Sequence, residues 1–210
     1  MKFNVIVANK SHTVHAAFIC NMMEEAAKKR GTGISKRKPE YIQDKITEGK
    51  AVIAFHEGWV IGFCYIESWD NEKFVANSGL IVHPDFRKTG VAKLIKKRTF
   101  DLSKKLFPTS RLFGITTSHA VMKINSDLGY KPVTFSELTK SDAFWKGCQE
   151  CKNYDILDRM NRTMCLCTAM ICDFNESREQ ESEKHMAWER FKSFIKRRKS
   201  KKTNILKIKK

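Results

Sequence analysis

Short apolar runs and longer amphipathic stretches alternate along the first two thirds of the chain. The short runs have the length and residue types of strands, and they predict β-strands at residues 2–8, 51–55, 59–67, 73–82, 112–117 and 164–171. The longer stretches predict helices at residues 11–30, 39–49, 90–107 and 119–128. Pro39 suits a helix start, whereas Gly31 and Pro108 suit helix ends. The pattern predicts an α/β domain with one mixed sheet of about six to seven strands and flanking helices.

Two local patterns sharpen this prediction. In the first helix Val14, Phe18, Met22 and Ala26 recur every four residues, which predicts one buried face. The tripeptide at residues 56–58, His-Glu-Gly, separates two apolar runs and predicts a β-hairpin.

Composition changes near Asn175 and predicts a domain boundary there. Residues 176–210 carry 13 Lys or Arg against 5 Asp or Glu, so this segment supplies +8 of the formal net charge of +17. Apolar residues are interspersed among these cations: Met186, Trp188, Phe191, Phe194 and Ile195. We therefore expect a domain over residues 1–175, with a Cys-rich part at 148–172, and a basic tail over 176–210. The tail is either an unstructured extension or an amphipathic helix that contacts nucleic acid or an anionic membrane.

Composition also excludes some classes of protein. Hydrophobic residues make up 41% of the chain, which is enough for a packed core. No apolar run reaches the roughly 18 residues that a membrane span needs. With no export signal recognised, the seven cysteines are expected to stay reduced in the cytoplasm.

The segment from Val75 to Ala92 carries the strongest chemical signal. It predicts a buried strand, a proline turn and a basic glycine loop, Arg87-Lys88-Thr89-Gly90-Val91-Ala92, which opens the next helix. First-turn amides of a helix lack intrahelical acceptors, and cations beside them favour phosphate groups. The loop alone is also compatible with an ordinary helix-capping turn.

The order of this strand, the Arg-x-x-Gly-x-Ala loop and the Leu-Gly-Tyr turn at residues 128–130 resembles the GNAT superfamily of N-acetyltransferases, over residues 2–132. The resemblance implies that the chain binds acetyl-CoA or another short acyl-CoA as co-substrate. It implies that Leu80, Ile81 and Val82 hydrogen-bond the pantetheine. It also implies that the loop Arg87, Lys88, Thr89, Gly90, Val91 and Ala92 wraps the pyrophosphate.

Further segments resemble a bacterial branch of this superfamily, the N-acetylglutamate or N-acylglutamate synthases of arginine biosynthesis. They are Arg-Gly-Thr-Gly-Ile at 30–34, Gly-Phe-Cys-Tyr-Ile-Glu at 62–67, Val-Met-Lys-Ile-Asn-Ser at 121–126, Ser-Glu-Leu-Thr at 136–139 and Cys-Leu-Cys-Thr-Ala-Met at 165–170. This resemblance implies a small amino acid, glutamate first, as acceptor.

Acyl transfer to an amine needs a base and a route for protonating the leaving thiolate. Glu67, at the end of a predicted strand, is the candidate base, with His83 as the alternative and an ordinary strand-end charge as the non-catalytic interpretation. Many superfamily members carry an acidic tyrosine where this chain has Asn125, and an amide cannot donate a proton as a phenol does.

Four residues are candidate acceptor ligands. Lys36 and Arg37 follow the Gly-Thr-Gly loop at residues 31–33 and can pair with carboxylates, or they belong to a plain basic surface loop. Asn77 and Ser78 interrupt an apolar strand and either line the pocket or face solvent. The sequence leaves open whether the chain forms a homodimer.

Cys148-x2-Cys151 and Cys165-x-Cys167 form two pairs 13 residues apart. Four thiolates at such spacing can hold a structural zinc, although the single-residue spacer of the second pair is unusual. Reduced, metal-free thiols are the alternative.

These observations converge on an acyl-CoA-dependent N-acyltransferase that modifies the amino group of a small amino acid, glutamate first. One alternative keeps the chemistry but uses a protein or peptide as the acceptor. The other is a non-catalytic protein that senses acyl-CoA and binds nucleic acid.

Overall fold

A seven-stranded mixed sheet forms the centre of the protein. The computed structural model describes residues 1–30, 36–175 and 186–193. In chain order the strands are β1 (Asn4–Val7), β2 (Ala51–His56), β3 (Trp59–Trp69), β4 (Phe74–Val82), β5 (Arg111–Thr116), β6 (Lys131–Val133) and β7 (Thr168–Asp173). Their spatial order is β1-β2-β3-β4-β5-β7-β6. Neighbours are antiparallel except β4 and β5, which are parallel.

Helices cover both faces of this sheet. They are α1 (Ala16–Arg30), α2 (Pro39–Thr47), α3 (Val91–Leu106), α4 (His119–Asp127), α5 (Asp142–Lys146) and α6 (Tyr154–Arg159). On one face α1 and α2 pack over residues such as Phe63, Tyr65 and Ile81. On the other face α3 packs over Cys64 and Val82. Consecutive strand residues thus serve opposite layers of the core, as the alternation of side chains in a strand requires.

The sequence predicted this fold class correctly. The predicted hairpin is the antiparallel pair β2–β3, and α2 begins at Pro39. Two predictions need correction. The short strand β6 was not predicted, and the last strand begins at Thr168 rather than at residue 164.

The prediction of a buried apolar face on the first helix is also wrong for the first two of its four residues. Val14 and Phe18 are 77% and 44% exposed, whereas Ile19 and Met23 are buried. The reason is that Lys10–His15 form a 3-10 helix capped by Asn9. Because a 3-10 turn holds three residues instead of 3.6, the faces of this segment and of α1 are out of register.

A β-bulge shapes β4. Phe63 pairs with Ile81 and Tyr65 with Ser78, so Cys64 lies opposite two residues, Gly79 and Leu80. Gly79 has φ +64°, which favours glycine. A Cβ at this position would collide with the Tyr65 ring and lie 2.9 Å from Met23 Cε. The bulge therefore depends on a residue without a side chain.

The chain divides into two compact units, Met1–Phe174 and Asn175–Lys210. Within the second unit residues 186–193 are helical, with the rings of Trp188 and Phe191 stacked 5.7 Å apart. Phe194, Ile195 and the basic run 196–202 lie outside the described residues, as does the Gly-Thr-Gly loop at 31–33. No helix in the described ranges is long and apolar enough to cross a bilayer.

We expect Gly79→Ala to lower the free energy of unfolding by about 2–5 kcal/mol. Overpacking costs ~1–3 kcal/mol and a left-handed non-glycine residue ~1–2 kcal/mol. Urea denaturation monitored by circular dichroism measures this change.

Gly58→Ala is the matched control. Gly58 also has positive φ, +83°, but a Cβ there meets nothing within 4 Å. It should cost only about 1–2 kcal/mol. Equal losses in the two variants would contradict the steric role assigned to Gly79.

Candidate active site

β4 and β5 separate after a short region of pairing. They pair only from Phe74 to Ala76 against Arg111 to Phe113, whereas β3 follows β4 as far as Val82. From Asn77 onward β4 therefore has a strand partner on one side only, among the described strands. Backbone groups on the open side can hydrogen-bond an extended amide-bearing chain in place of a strand. This opening contains the predicted pantetheine residues Leu80, Ile81 and Val82.

The glycine loop lies at the far end of this opening. Lys88 and Gly90 have φ values of +63° and +91°, and Gly90 is the N-cap of α3. Gly90 has no side chain to cap the helix, so the amides of Val91 and Ala92 are left to an external acceptor.

Two contacts join the loop to its surroundings. Arg87 Nε donates a hydrogen bond of 3.3 Å to the carbonyl of Val82, the last residue of β4. Thr89 Oγ1 donates one of 2.6 Å to the carbonyl of Phe86. Arg87, Lys88, Thr89 and Gly90 are all exposed. The loop thus combines exposed cations with a helix N-terminus, an arrangement that suits a pyrophosphate.

On the α1–α2 face a cation lies above the middle of the sheet. Arg37, just before α2, donates from Nε to the Tyr65 hydroxyl oxygen at 2.8 Å. Its guanidinium also lies 5.6 Å from the centre of the Tyr41 ring. Tyr65 is 1% exposed and packs edge-on against Tyr41. Two rings therefore hold the Arg37 guanidinium over β3.

Glu67 follows on the same face, two residues beyond Tyr65. It pairs with Ala76, the last β4 residue that also pairs with β5, so its carboxyl lies where the strands separate. Burial raises the pKa of Glu67 to about 7, and the positive charge of Arg37 opposes the rise. The ammonium of Lys45, 3.3 Å from Oε2, also favours the ionised form. Oε1 is buried and has no hydrogen-bond partner among the described residues.

The carboxyl of Glu67 can therefore exchange a proton near neutral pH. A pKa close to the working pH is what a general base requires. His83, the alternative, lies beyond the end of β4 beside the 3-10 turn Pro84–Phe86, with Nδ1 3.7 Å from Asp85. The structure thus places the two candidate bases at different ends of the β4 opening.

Asn77 lies on the opposite face, toward α3. Its Nδ2 donates to Ser103 Oγ at 2.7 Å, and its Oδ1 accepts a 3.4 Å hydrogen bond from the Tyr130 hydroxyl. Ser78 pairs with Tyr65, and its carbonyl accepts from the Cys64 thiol at 3.3 Å. The two residues predicted together as acceptor ligands therefore direct their side chains to different layers.

Asn125 is 1% exposed in α4. Its Nδ2 lies 3.8 Å from Met170 Sδ, and its Oδ1 is buried with no hydrogen-bond partner in the described part of the chain. Tyr130 is better placed as a proton donor, since its hydroxyl contacts Asn77, the first β4 residue beyond the paired region. Burial raises the pKa of Tyr130 well above its usual value and keeps the phenol protonated.

Lys96 is a buried cation that the sequence reasoning missed. It lies on α3, is 2% exposed, and has its ammonium 5.4 Å from the centre of the Tyr130 ring. Burial lowers the pKa of Lys96 to about 8, and the Cys64 thiol opposes this shift. From sequence, the only indication of Lys96 is its place in a predicted helix. Sequence alone does not distinguish buried from exposed lysines of one helix until the packing of that helix is known.

Lys36 belongs to the rim of the site. Its side chain is 72% exposed and its ammonium lies 3.7 Å from Glu24, while its backbone N–H donates to Glu150 Oε2 at 3.1 Å. Tyr41 and Lys45, which the sequence analysis did not identify, share one face of α2 at a spacing of four residues.

The four cysteines predicted to bind zinc lie in the segment before β7. In the described residues no three His, Cys, Asp or Glu side chains form a metal-binding group.

We expect Arg37→Met to raise the pKa of Glu67 further, because it removes the positive charge that favours the carboxylate. The chemical shift of the Glu67 side-chain carboxyl carbon against pH, by nuclear magnetic resonance, measures this. Lys36→Met removes the neighbouring charge, on an exposed side chain, and should leave the titration of Glu67 unchanged. An unaltered Glu67 pKa in Arg37→Met would show that the two groups do not interact.

Several solved structures have a similar fold. N-acetylglutamate synthase from Neisseria gonorrhoeae, complexed with coenzyme A and N-acetyl-glutamate, matches at TM-score 0.57 and 16% identity over 83% of this chain, but this chain spans 35% of that one. A putative acetyltransferase from Salmonella typhimurium with acetyl-CoA matches at TM-score 0.57 and 13% identity, over 83% of this chain and 95% of that one. Diaminobutyrate acetyltransferase from Paenibacillus lautus, in complex with its substrate and coenzyme A, matches at TM-score 0.54 and 8% identity, over 82% of this chain and 95% of that one.

No protein of curated function matches the chain by sequence. Residues 20–117 match the sequence model of the acetyltransferase (GNAT) family, a range that includes most of α1, the strands β2 to β5 and the glycine loop. Residues 20–117 of the chain therefore form a domain of the acetyltransferase (GNAT) family, as the sequence predicted, and this domain is that of an acyl-CoA-dependent N-acetyltransferase.

Proposed function

We propose that the protein transfers a short acyl group from acyl-CoA to the amino group of a small acidic amino acid, with glutamate as the first choice. The observation that carries this proposal is the position of Glu67. Its carboxyl has a pKa of about 7, lies where β4 and β5 separate, and has the Arg37 cation on the same face.

The donor would lie along β4. Its pyrophosphate would contact Arg87, Lys88 and the amides of Val91 and Ala92, and its pantetheine would follow residues 80–82 toward Ala76. This direction brings the thioester to the region beside Glu67. Backbone amides of the open β4 edge would then stabilise the oxyanion that develops on the thioester carbonyl.

The acceptor would enter from the α1–α2 face. Glu67 would take a proton from its ammonium group, and the free amine would attack the thioester carbonyl. A carbon–nitrogen bond forms, the carbon–sulfur bond breaks, the thiolate of CoA leaves, and the nitrogen releases its second proton to solvent. Tyr130 is the candidate to protonate that thiolate, since Asn125 has no acidic proton, and Tyr130 then regains a proton from solvent. Glu67 then returns its proton to water.

Charge supports an acidic acceptor. Arg37 can form a paired hydrogen bond with a carboxylate, and Lys36 and Lys45 add positive charge to the same side. The carboxylates of glutamate would be attracted to these groups. The structurally similar Neisseria enzyme, which binds N-acetyl-glutamate, and the resemblance to that branch over residues 30–173 agree with this choice.

The direct test incubates the full chain with acetyl-CoA or succinyl-CoA and single amino acids, and identifies the products by mass spectrometry. We expect N-acylglutamate with at least one donor. Turnover of neutral amino acids or of peptides in preference to glutamate would overturn the acceptor assignment. Absence of any acyl transfer in the whole panel would overturn the enzymatic one.

Glu67→Gln should lower kcat by about 10²–10⁴-fold, the usual contribution of a general base. In the unchanged protein the rate should rise with pH through about 7, because the base acts only when ionised, and this rise should vanish in the variant. Steady-state rates from pH 5.5 to 9 measure both effects. Glu57→Gln, at a turn position 82% exposed, is the control and should retain the full profile.

Arg87→Ala should raise the Kd for CoA by about 10–100-fold, since a hydrogen bond to a charged group contributes ~1.5–3 kcal/mol. Isothermal titration calorimetry at two salt concentrations measures the affinity. Arg98→Ala removes the same charge from an exposed position farther along α3 and should change the Kd little. Similar losses in both variants would reduce the role of Arg87 to long-range attraction.

A further inference from the structure

Four of the seven cysteines occur in the segment between β6 and β7. This segment holds two short helices, α5 and α6, and the 3-10 helix Phe135–Glu137, and otherwise consists of loops and turns, with positive φ at Asn161 and Arg162. Regular secondary structure is therefore sparse in it, and its apolar side chains, Trp145 and Leu157 among them, pack into one cluster.

Cys148 and Cys151 are brought together by a single turn. The backbone N–H of Cys151 donates to the Cys148 carbonyl at 2.9 Å, and the N–H of Cys148 donates to the Trp145 carbonyl, also at 2.9 Å. We call residues 148–151 the cysteine turn. A turn of this size between two ligands is typical of one half of a structural zinc site.

Cys165 and Cys167 supply the second pair. Both are half-buried, while Leu166 between them is 64% exposed, so the two thiols lie on the same side of the chain. Cys148, Cys165 and Cys167 all pack against one apolar cluster that includes Phe135 and Trp145. The fold therefore brings residues from both ends of the segment to one place.

We propose that Cys148, Cys151, Cys165 and Cys167 bind one Zn²⁺ ion as tetrahedral thiolate ligands. Each thiol gives its proton to solvent and forms a bond of ~2.3 Å to the metal, with no change of oxidation state. In the described residues the thiols are not arranged as a metal-binding group, so binding requires these side chains to reorient.

Such a zinc site would be connected to the proposed acceptor pocket through the cysteine turn. Glu150, between Cys148 and Cys151, accepts the hydrogen bond from the backbone N–H of Lys36, the residue before Arg37. A metal that fixes the turn would also fix Glu150 and, through it, the chain that carries Arg37. The site would thus have a structural role next to the proposed acceptor pocket.

The experiment purifies the full chain without chelators and measures its metals by plasma mass spectrometry. We expect one zinc per chain. Cys148→Ser and Cys167→Ser, one from each pair, should lose it. Cys20→Ala, which changes a buried cysteine of α1, should retain it. Zinc that stays bound in both serine variants would overturn the ligand assignment.

A second measurement does not depend on whether the variants fold. Titration of the zinc-loaded protein with a mercurial thiol reagent should release one zinc for every four thiols modified. Cobalt added to the metal-free, reduced chain should give the absorption bands of tetrahedral thiolate coordination. Zinc far below one per chain together with no such bands would refute the proposal. Iron with inorganic sulfide, or disulfides between these cysteines in freshly prepared protein, would also refute it.

Discussion

The separation of β4 from β5 is the feature on which the rest of the structure depends. Parallel pairing ends at Ala76, and farther along the same strand the bulge at Gly79 changes which residues face each layer. Because β3 remains paired to β4 on the other side, the opening has one rigid wall. A backbone edge in this position would normally be a liability, since unpaired groups invite aggregation. Here it lies inside the sheet, between two strands of the same domain.

Charged groups are distributed unequally across this opening. On the α1–α2 face Arg37, Lys45 and Glu67 form a partly buried set with net positive charge. On the α3 face the buried ammonium of Lys96 is accompanied by the neutral hydroxyl of Tyr130. Buried charges are costly unless paired, so their presence on both faces sets this region apart from the apolar layers around it. The two faces thus suit an anionic acceptor and the proton that its reaction must move.

Much of this arrangement could be predicted from sequence, for identifiable reasons. The hairpin β2–β3 and the glycine loop depend on local signals, namely a turn tripeptide and a glycine at a helix start. The strand β6 is too short for a pattern, and the face of α1 was misjudged because a 3-10 turn precedes it. Tyr65 and Lys96 could not be recognised because their roles depend on which side chains the sheet brings opposite them. The sequence indicates Glu67 as a carboxylate at the end of a predicted strand, but β3 continues to Trp69, and the near-neutral pKa of Glu67 follows from burial that no local pattern encodes.

The position of β7 has a consequence for how the chain folds. The neighbours β1 to β4 follow one another in sequence, so this half of the sheet can form before the rest of the chain has been synthesised. β5 pairs with β4 over only three residues and with β7 over six, and β7 begins at Thr168. Contacts between distant parts of a chain form late because loop closure must precede them. β5, the second wall of the opening, therefore gains its longer strand partner only after the cysteine-rich segment has been synthesised.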